Sequence, residues 1–117
     1  MIQEDKQLLL KDLCARLPYG VEIQVNEWTV LDTNLKTGHI DRLLNDDIRI
    51  KPYLRLMSSM TEEEREEWMN ITNAQHWLII DNLDKAIDFL NAHHFDYRGL
   101  IEKGLALEAP EDMYKTD

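Results

Sequence analysis

Apolar positions recur at three- and four-residue steps near the start of the chain. Leu9, Leu10, Leu13, Cys14 and Leu17 are spaced in this way, with Lys6, Lys11, Asp12 and Arg16 on the other side. This is the period of an amphipathic helix, predicted from Glu4 to Leu17. Glu4 and Asp5 suit its positive N-terminal end, Arg16 suits its negative C-terminal end, and Pro18 and Gly20 stop it. Cys14 falls on the apolar side and is expected in the core.

The period then changes to two. Val21, Ile23 and Val25 alternate with Glu22 and Gln24, which predicts a half-buried strand. A turn at Asn26–Glu27 would return the chain through Trp28, Val30 and Leu31. Lys36-Thr37-Gly38 and Asn45-Asp46-Asp47 are further turn candidates, and Asp41 to Leu44 fits a strand or one helical turn. Ile48, Ile50, Leu54 and Leu56 alternate with Arg49, Lys51, Tyr53 and Arg55. Pro52 cannot donate to a ladder, so this strand belongs at an edge or at a bulge. Residues 20–57 therefore read as a small twisted antiparallel sheet, open or partly closed into a barrel.

Helical signals return after Met60. Thr61 and Glu64 have capping-box spacing, opening a helix to about Ile71 anchored by Trp68, Met69 and Ile71. His76 to Ile80 reads as a short buried strand. Asp81 or Asn82 would cap a helix on which Leu83, Ala86, Ile87 and Leu90 share a face flanked by Phe89. Asp96 would cap a last helix through Lys103, with Gly104 just past its end. The fold class is α+β: an N-terminal helix, a sheet, then C-terminal helices with one short strand. Residues 1–110 form a single domain (1–60 helix plus sheet, 61–110 acidic and helical), followed by a mobile tail, 111–117.

Charge sharpens this division. The 117 residues carry 13 basic and 23 acidic side chains, a net of −10. Residues 1–60 hold 8 basic and 9 acidic groups, net −1, and residues 61–117 hold 5 and 14, net −9. A surface of that sign repels a phosphate backbone, so direct nucleic-acid binding by the second half is disfavoured. A basic protein surface is the better partner, such as that of a nucleic-acid-binding or defence protein of the host. The exposed acids of the predicted helices, Glu62, Glu63, Glu66, Glu67, Asp84 and Asp88, are the candidate contact residues.

Motifs for catalysis are absent: no P-loop, nucleophile elbow or dinucleotide fingerprint occurs. The acids at 62–67 point about 100° apart along a helix and do not converge as a cation site requires. His93 and His94 are adjacent and diverge, whereas paired ligands sit three or four residues apart; a helix C-terminus would favour both as cations. The chain is thus expected to be non-enzymatic, with no cofactor and no metal. A lone cysteine, no charged-then-apolar leader and no bilayer-length apolar run make the cytoplasm the expected setting, without membrane attachment. Arg49, Lys51, Tyr53 and Arg55 interleave cations with an aromatic, a pattern that grips nucleic acid; they define the alternative, a small nucleic-acid-associated regulator.

Three stretches carry a resemblance. Residues 8–21 (Leu8 to Val21), residues 51–64 (Lys51-Pro52-Tyr53-Leu54-Arg55 and Met57 to Glu64) and residues 90–106 (Leu90 to Ala106) resemble the opening, middle and end of small uncharacterised proteins of phages and mobile elements of Bacteroides-type gut bacteria. These blocks cover about half of the chain. The β-rich insert between the first two blocks of that group is shorter here. The resemblance implies a mobile-element setting and no established activity. With the acidity, it leads to an expected accessory factor, in its sharper form an anti-defence (anti-CRISPR type) inhibitor that occupies a basic nucleic-acid-binding surface.

Overall fold

The computed structural model describes residues 2–26, 29–72 and 79–114, with only the backbone of 79–82. Its elements in order are α1 (Gln3–Arg16), β1 (Glu22–Asn26), β2 (Val30–Asn34), α2 (Thr37–Leu44), β3 (Arg49–Leu54), α3 (Glu62–Thr72), α4 (Ile79–Ala92) and β4 (Leu107–Glu108). The fold is α+β, as the change of period predicts. The positions of Glu27, Trp28 and His76 to Leu78 lie outside the described residues.

β1 pairs antiparallel with β2 on one side and with β3 on the other, with Ile23 opposite Thr33 and Pro52. β4 adds a parallel strand against Tyr53 and Leu54, so the sheet is mixed and its order is β2-β1-β3-β4. No described pairing joins the two edges, and the sheet is open rather than closed into a barrel. Pro52 sits in an interior strand, contrary to a simple edge placement. It is tolerated because β4 pairs only from Tyr53 onward, which leaves β3 without a neighbour on that side at Pro52. Beside it, the Tyr114 hydroxyl accepts from the Glu22 N–H (2.9 Å) and donates to the Tyr53 carbonyl (2.7 Å). A side chain thus bridges β1 and β3 just beyond the last paired residue, Pro52. The segment expected to be a mobile tail is tied down at Tyr114, and residues 115–117 lie outside the described residues.

Lys36-Thr37-Gly38 opens α2 rather than forming a free turn. The His39 imidazole accepts the Lys36 N–H at 3.0 Å, and Ile40 and Leu43, three residues apart, pack on the core. The turn at Asn45-Asp46-Asp47 forms as predicted, with Asp46 at φ 59°. α4 begins at Ile79, so Ile79 and Ile80 are helical instead of a strand, and Asp81 and Asn82 lie inside the helix rather than capping it. The short strand of the C-terminal half is β4. Asp96 does not cap a helix: its two carboxylate oxygens accept from Leu100 N–H and Ile101 N–H (2.8 and 3.0 Å), four and five residues on, and hold the turns together. No regular helix follows, because Gly99 takes φ 73° and turns the chain away. Gly104, at φ 76°, closes these turns.

The main core joins Leu9 and Leu13 of α1 to the buried face of the sheet (Ile23, Ile50, Leu54), α2 and Leu100 to Ala106. A second core gathers Phe89, Leu90 and Phe95 with Trp68 and Ile71. Along the shared face on α4, Ala86 and Leu90 are buried while Leu83 is 60% exposed.

The inward face of α1 is rotated from the predicted one. Leu9, Asp12, Leu13 and Arg16 are buried and Cys14 is exposed. Asp12 and Arg16 are completely buried as an i,i+4 pair, Arg16 Nε donating to Asp12 Oδ2 at 2.8 Å. Arg98 Nη1 donates to Asp12 Oδ1 at 2.9 Å, and Arg16 Nη2 to the Phe95 carbonyl at 2.6 Å. These bonds reach from the first helix to the turns after α4, and they turn the polar pair inward and the thiol out. Cys14 is therefore predicted to react with a water-soluble aromatic disulfide in the native protein at mild alkaline pH without denaturant. The released thiolate chromophore should report one thiol per chain; labelling that waits for urea would place Cys14 in the core after all.

Candidate interaction surfaces

α3 starts where its sequence dictates. The Glu64 N–H donates to Thr61 Oγ1 (3.1 Å) and Glu64 Oε1 accepts the Thr61 N–H (2.9 Å), a reciprocal cap. The cap turns the Glu64 carboxylate inward, away from its acidic neighbours. Arg55 meets it with two parallel bonds of 2.7 Å, and His93 Nδ1 lies 3.0 Å from its other oxygen. The Arg55 guanidinium, hydrogen-bonded to it, holds the Glu64 carboxyl down to about 2 against an opposing contribution from burial. Arg55 also donates to the His93 and Ser59 carbonyls and lies 4.3 Å over the Phe95 ring.

The six candidate acids lie outside this node. Glu62, Glu63, Glu66 and Glu67 on α3, and Asp84 and Asp88 on α4, are all exposed. On α3, Glu62, Glu66 and Met69 fall on one stripe by helical spacing, and Met69 is 50% exposed. Asp88 accepts from Tyr19 Oη at 2.8 Å. α3 thus presents carboxylates beside an exposed thioether, and α4 presents two further exposed carboxylates.

The four residues of the alternative surface do not act together. Arg49 and Lys51 are exposed on β3, opposite Asn26 and Gln24 of β1. Tyr53 is half-buried and its hydroxyl donates to Asp32 at 2.8 Å. Arg55 lies past the end of the strand and is engaged by Glu64. Two cations remain, beside a carboxylate.

His93 and His94 diverge. His93 goes to Glu64, while His94 stacks on Tyr114 with ring centroids 3.7 Å apart. The expectation that a helix end keeps both charged fails for His94. Burial first, then the nearby Arg16, His93 and Arg55 charges, push it down to about 4, so it is neutral near pH 7. Among the described residues no group of three His, Cys, Asp or Glu side chains could hold a metal ion.

Between the start of α3, the end of α4 and the chain from Glu108 to Tyr114 runs an open groove of about 820 Å³. Arg55, Glu64, His93 and Tyr114 line it, with Glu63 and Glu108. Sequence reasoning did not find this groove, because its walls come from three separate segments of the chain, 55–64, 92–94 and 108–114. The one local clue was the Thr61–Glu64 spacing, which marks Glu64 as a turned-in acid within an acidic run.

No helix among the described residues is long and apolar enough to cross a membrane. No family model, curated protein or solved structure matches the chain.

The pH dependence of stability follows from two groups. His94 is depressed from 6.5 to about 4, so the unfolded chain binds its proton first and stability falls as pH drops from 6.5 toward 4. Glu64 is depressed from 4.5 to about 2, and its contribution, complete above 4.5, is lost as pH falls from 4.5 toward 2. His94 has φ 65°, which asparagine tolerates better than most residues. His94→Asn should therefore lower the loss in urea midpoint between pH 6.5 and 4.5 while keeping the loss below 4.5. Parallel wild-type and variant curves across the upper range would contradict the assignment.

Proposed function

We propose that the protein is a non-enzymatic accessory factor that binds a basic protein surface through the outward acids of α3 and α4. The observation that carries this reading is the exposure of all six candidates, Glu62, Glu63, Glu66, Glu67, Asp84 and Asp88, on helices of a half-chain with net charge −9. Glu64, which has an internal cation partner, is held apart from them. Complementary charge of this kind raises encounter rate and selects partners more than it adds affinity. The exposed Met69 supplies an adaptable apolar contact within the acidic surface.

The chemistry defines the partner as a protein with a concentrated Lys and Arg surface. Surfaces that hold nucleic acid have this character. In its sharper form the proposal is an anti-defence inhibitor of a mobile element, seated in the nucleic-acid channel of a host nuclease. The reading as a nucleic-acid-associated regulator is less favoured. Of Arg49, Lys51, Tyr53 and Arg55, the last is committed to Glu64 and the tyrosine hydroxyl to Asp32.

Capture from host lysate tests the proposal when run at low and high salt beside a Glu62→Lys/Glu63→Lys/Glu66→Lys/Glu67→Lys variant. A protein bound by the wild type should be released by salt and missed by the variant. Binding insensitive to both changes would refute an acidic contact surface. A gel shift at low salt with random-sequence DNA and RNA should show no complex.

A further inference from the structure

The groove beside the capping node contains exposed carboxylates without a described side-chain partner. Glu63 stands on the first turn of α3 and Glu108 at the end of β4; both are exposed, and neither is paired among the described residues. Glu64, between them, is ionised at any pH above about 2. Arg55 is the one Lys or Arg lining the groove, and its guanidinium is already matched by Glu64. His94 is neutral above about pH 4. The end of α4 adds the partial negative charge of its terminal carbonyls. The concavity is therefore negative with no unmatched Lys or Arg of its own. Leu56, Ala92, Pro110 and Tyr114 give the lining an apolar and aromatic part, beside the polar Ser59 and Thr61.

We infer that this groove, which shares Glu63 with the acidic surface of α3, seats an arginine or lysine side chain from a basic segment of the protein partner. The inference rests on the proposed acidic contact surface and names its point of contact. A long basic side chain combines an apolar stem with a charged head. The apolar part of the lining accepts the stem, and Glu63 and Glu108 accept the head. A volume of about 820 Å³ lies within the usual range of pre-formed ligand sites, which span about 300–1,000 Å³. Arg55 shows how a guanidinium is held beside the groove: a two-pronged carboxylate, two carbonyls and the face of the buried Phe95 ring.

A fluorescent Arg-Gly-Arg-Gly-Arg peptide, titrated at low salt with anisotropy readout, tests the site. Three proteins are compared: wild type, Glu63→Gln/Glu108→Gln in the groove, and Glu66→Gln/Glu67→Gln outside it. Each pair removes the same net charge from exposed positions, and urea unfolding of the three proteins checks that all are folded. The groove pair should weaken binding by about tenfold or more, and the outer pair by no more than about twofold. Equal weakening, or a larger effect of the outer pair, would overturn the groove while leaving the acidic surface in place. Absence of peptide binding to wild type would also overturn it, and the lysate capture then decides the broader reading on its own.

Discussion

The carboxylate of Asp12 is completely buried between two guanidiniums, and the joining of the two halves of the molecule depends on it. Arg16 approaches from the same helix and Arg98 from the turns that follow α4. Removing such ions from water costs several kcal/mol each, which the pairing of the carboxylate with both guanidiniums offsets; of these groups, Arg16 Nη1 alone is buried without a hydrogen-bond partner among the described residues. Arg16 adds a bond to the Phe95 carbonyl, and Arg98 adds one to Tyr97 Oη, which in turn donates to Asn91 of α4. The main core holds Leu9 and Leu13 of α1; Phe95 belongs to the second core. The network lies where these two apolar clusters meet, and it fixes the direction in which the chain leaves α4. From there the chain passes through Leu100 to β4 and on to Tyr114, and so builds one wall of the groove.

Much of this was legible locally. The change from helical to alternating period placed α1, β1 and β3, and the Thr61–Glu64 spacing placed the start of α3. Two kinds of information were missing from the pattern. The first is phase: five apolar residues placed the inward face of α1 near Leu10 and Cys14, whereas Asp12 and Arg16 pull it to the other side of Leu9. That pull comes from Arg98, 86 residues away, and no window along the sequence contains it. The second is the effect of a glycine: Asp96 has the residue type of a cap, but Gly99 at φ 73° leaves the helical region, and the Asp96 carboxylate binds the turns beyond it instead.

The candidate surfaces divide along the same line. Exposure of the acids on α3 follows from their number and spacing, since a short amphipathic helix cannot turn that many carboxylates inward. The commitment of Arg55 does not follow from alternation along β3. It depends on the chain bending after Leu54 and on α3 returning Glu64 beside it. The basic strand therefore looks richer in free cations on paper than it is in space, and the balance between the two candidate surfaces shifts toward the acidic one. The proposed function rests on the charges that the internal ion pairs leave over.

A double-mutant cycle on Asp12 and Arg98 tests most directly whether a buried charge network joins the halves. Urea unfolding of wild type, Asp12→Asn, Arg98→Gln and the double variant yields the coupling free energy. The account predicts a coupling of about 2 kcal/mol, toward the upper part of the range for residues sharing one network. Single-variant losses that add to within about 0.5 kcal/mol would contradict it.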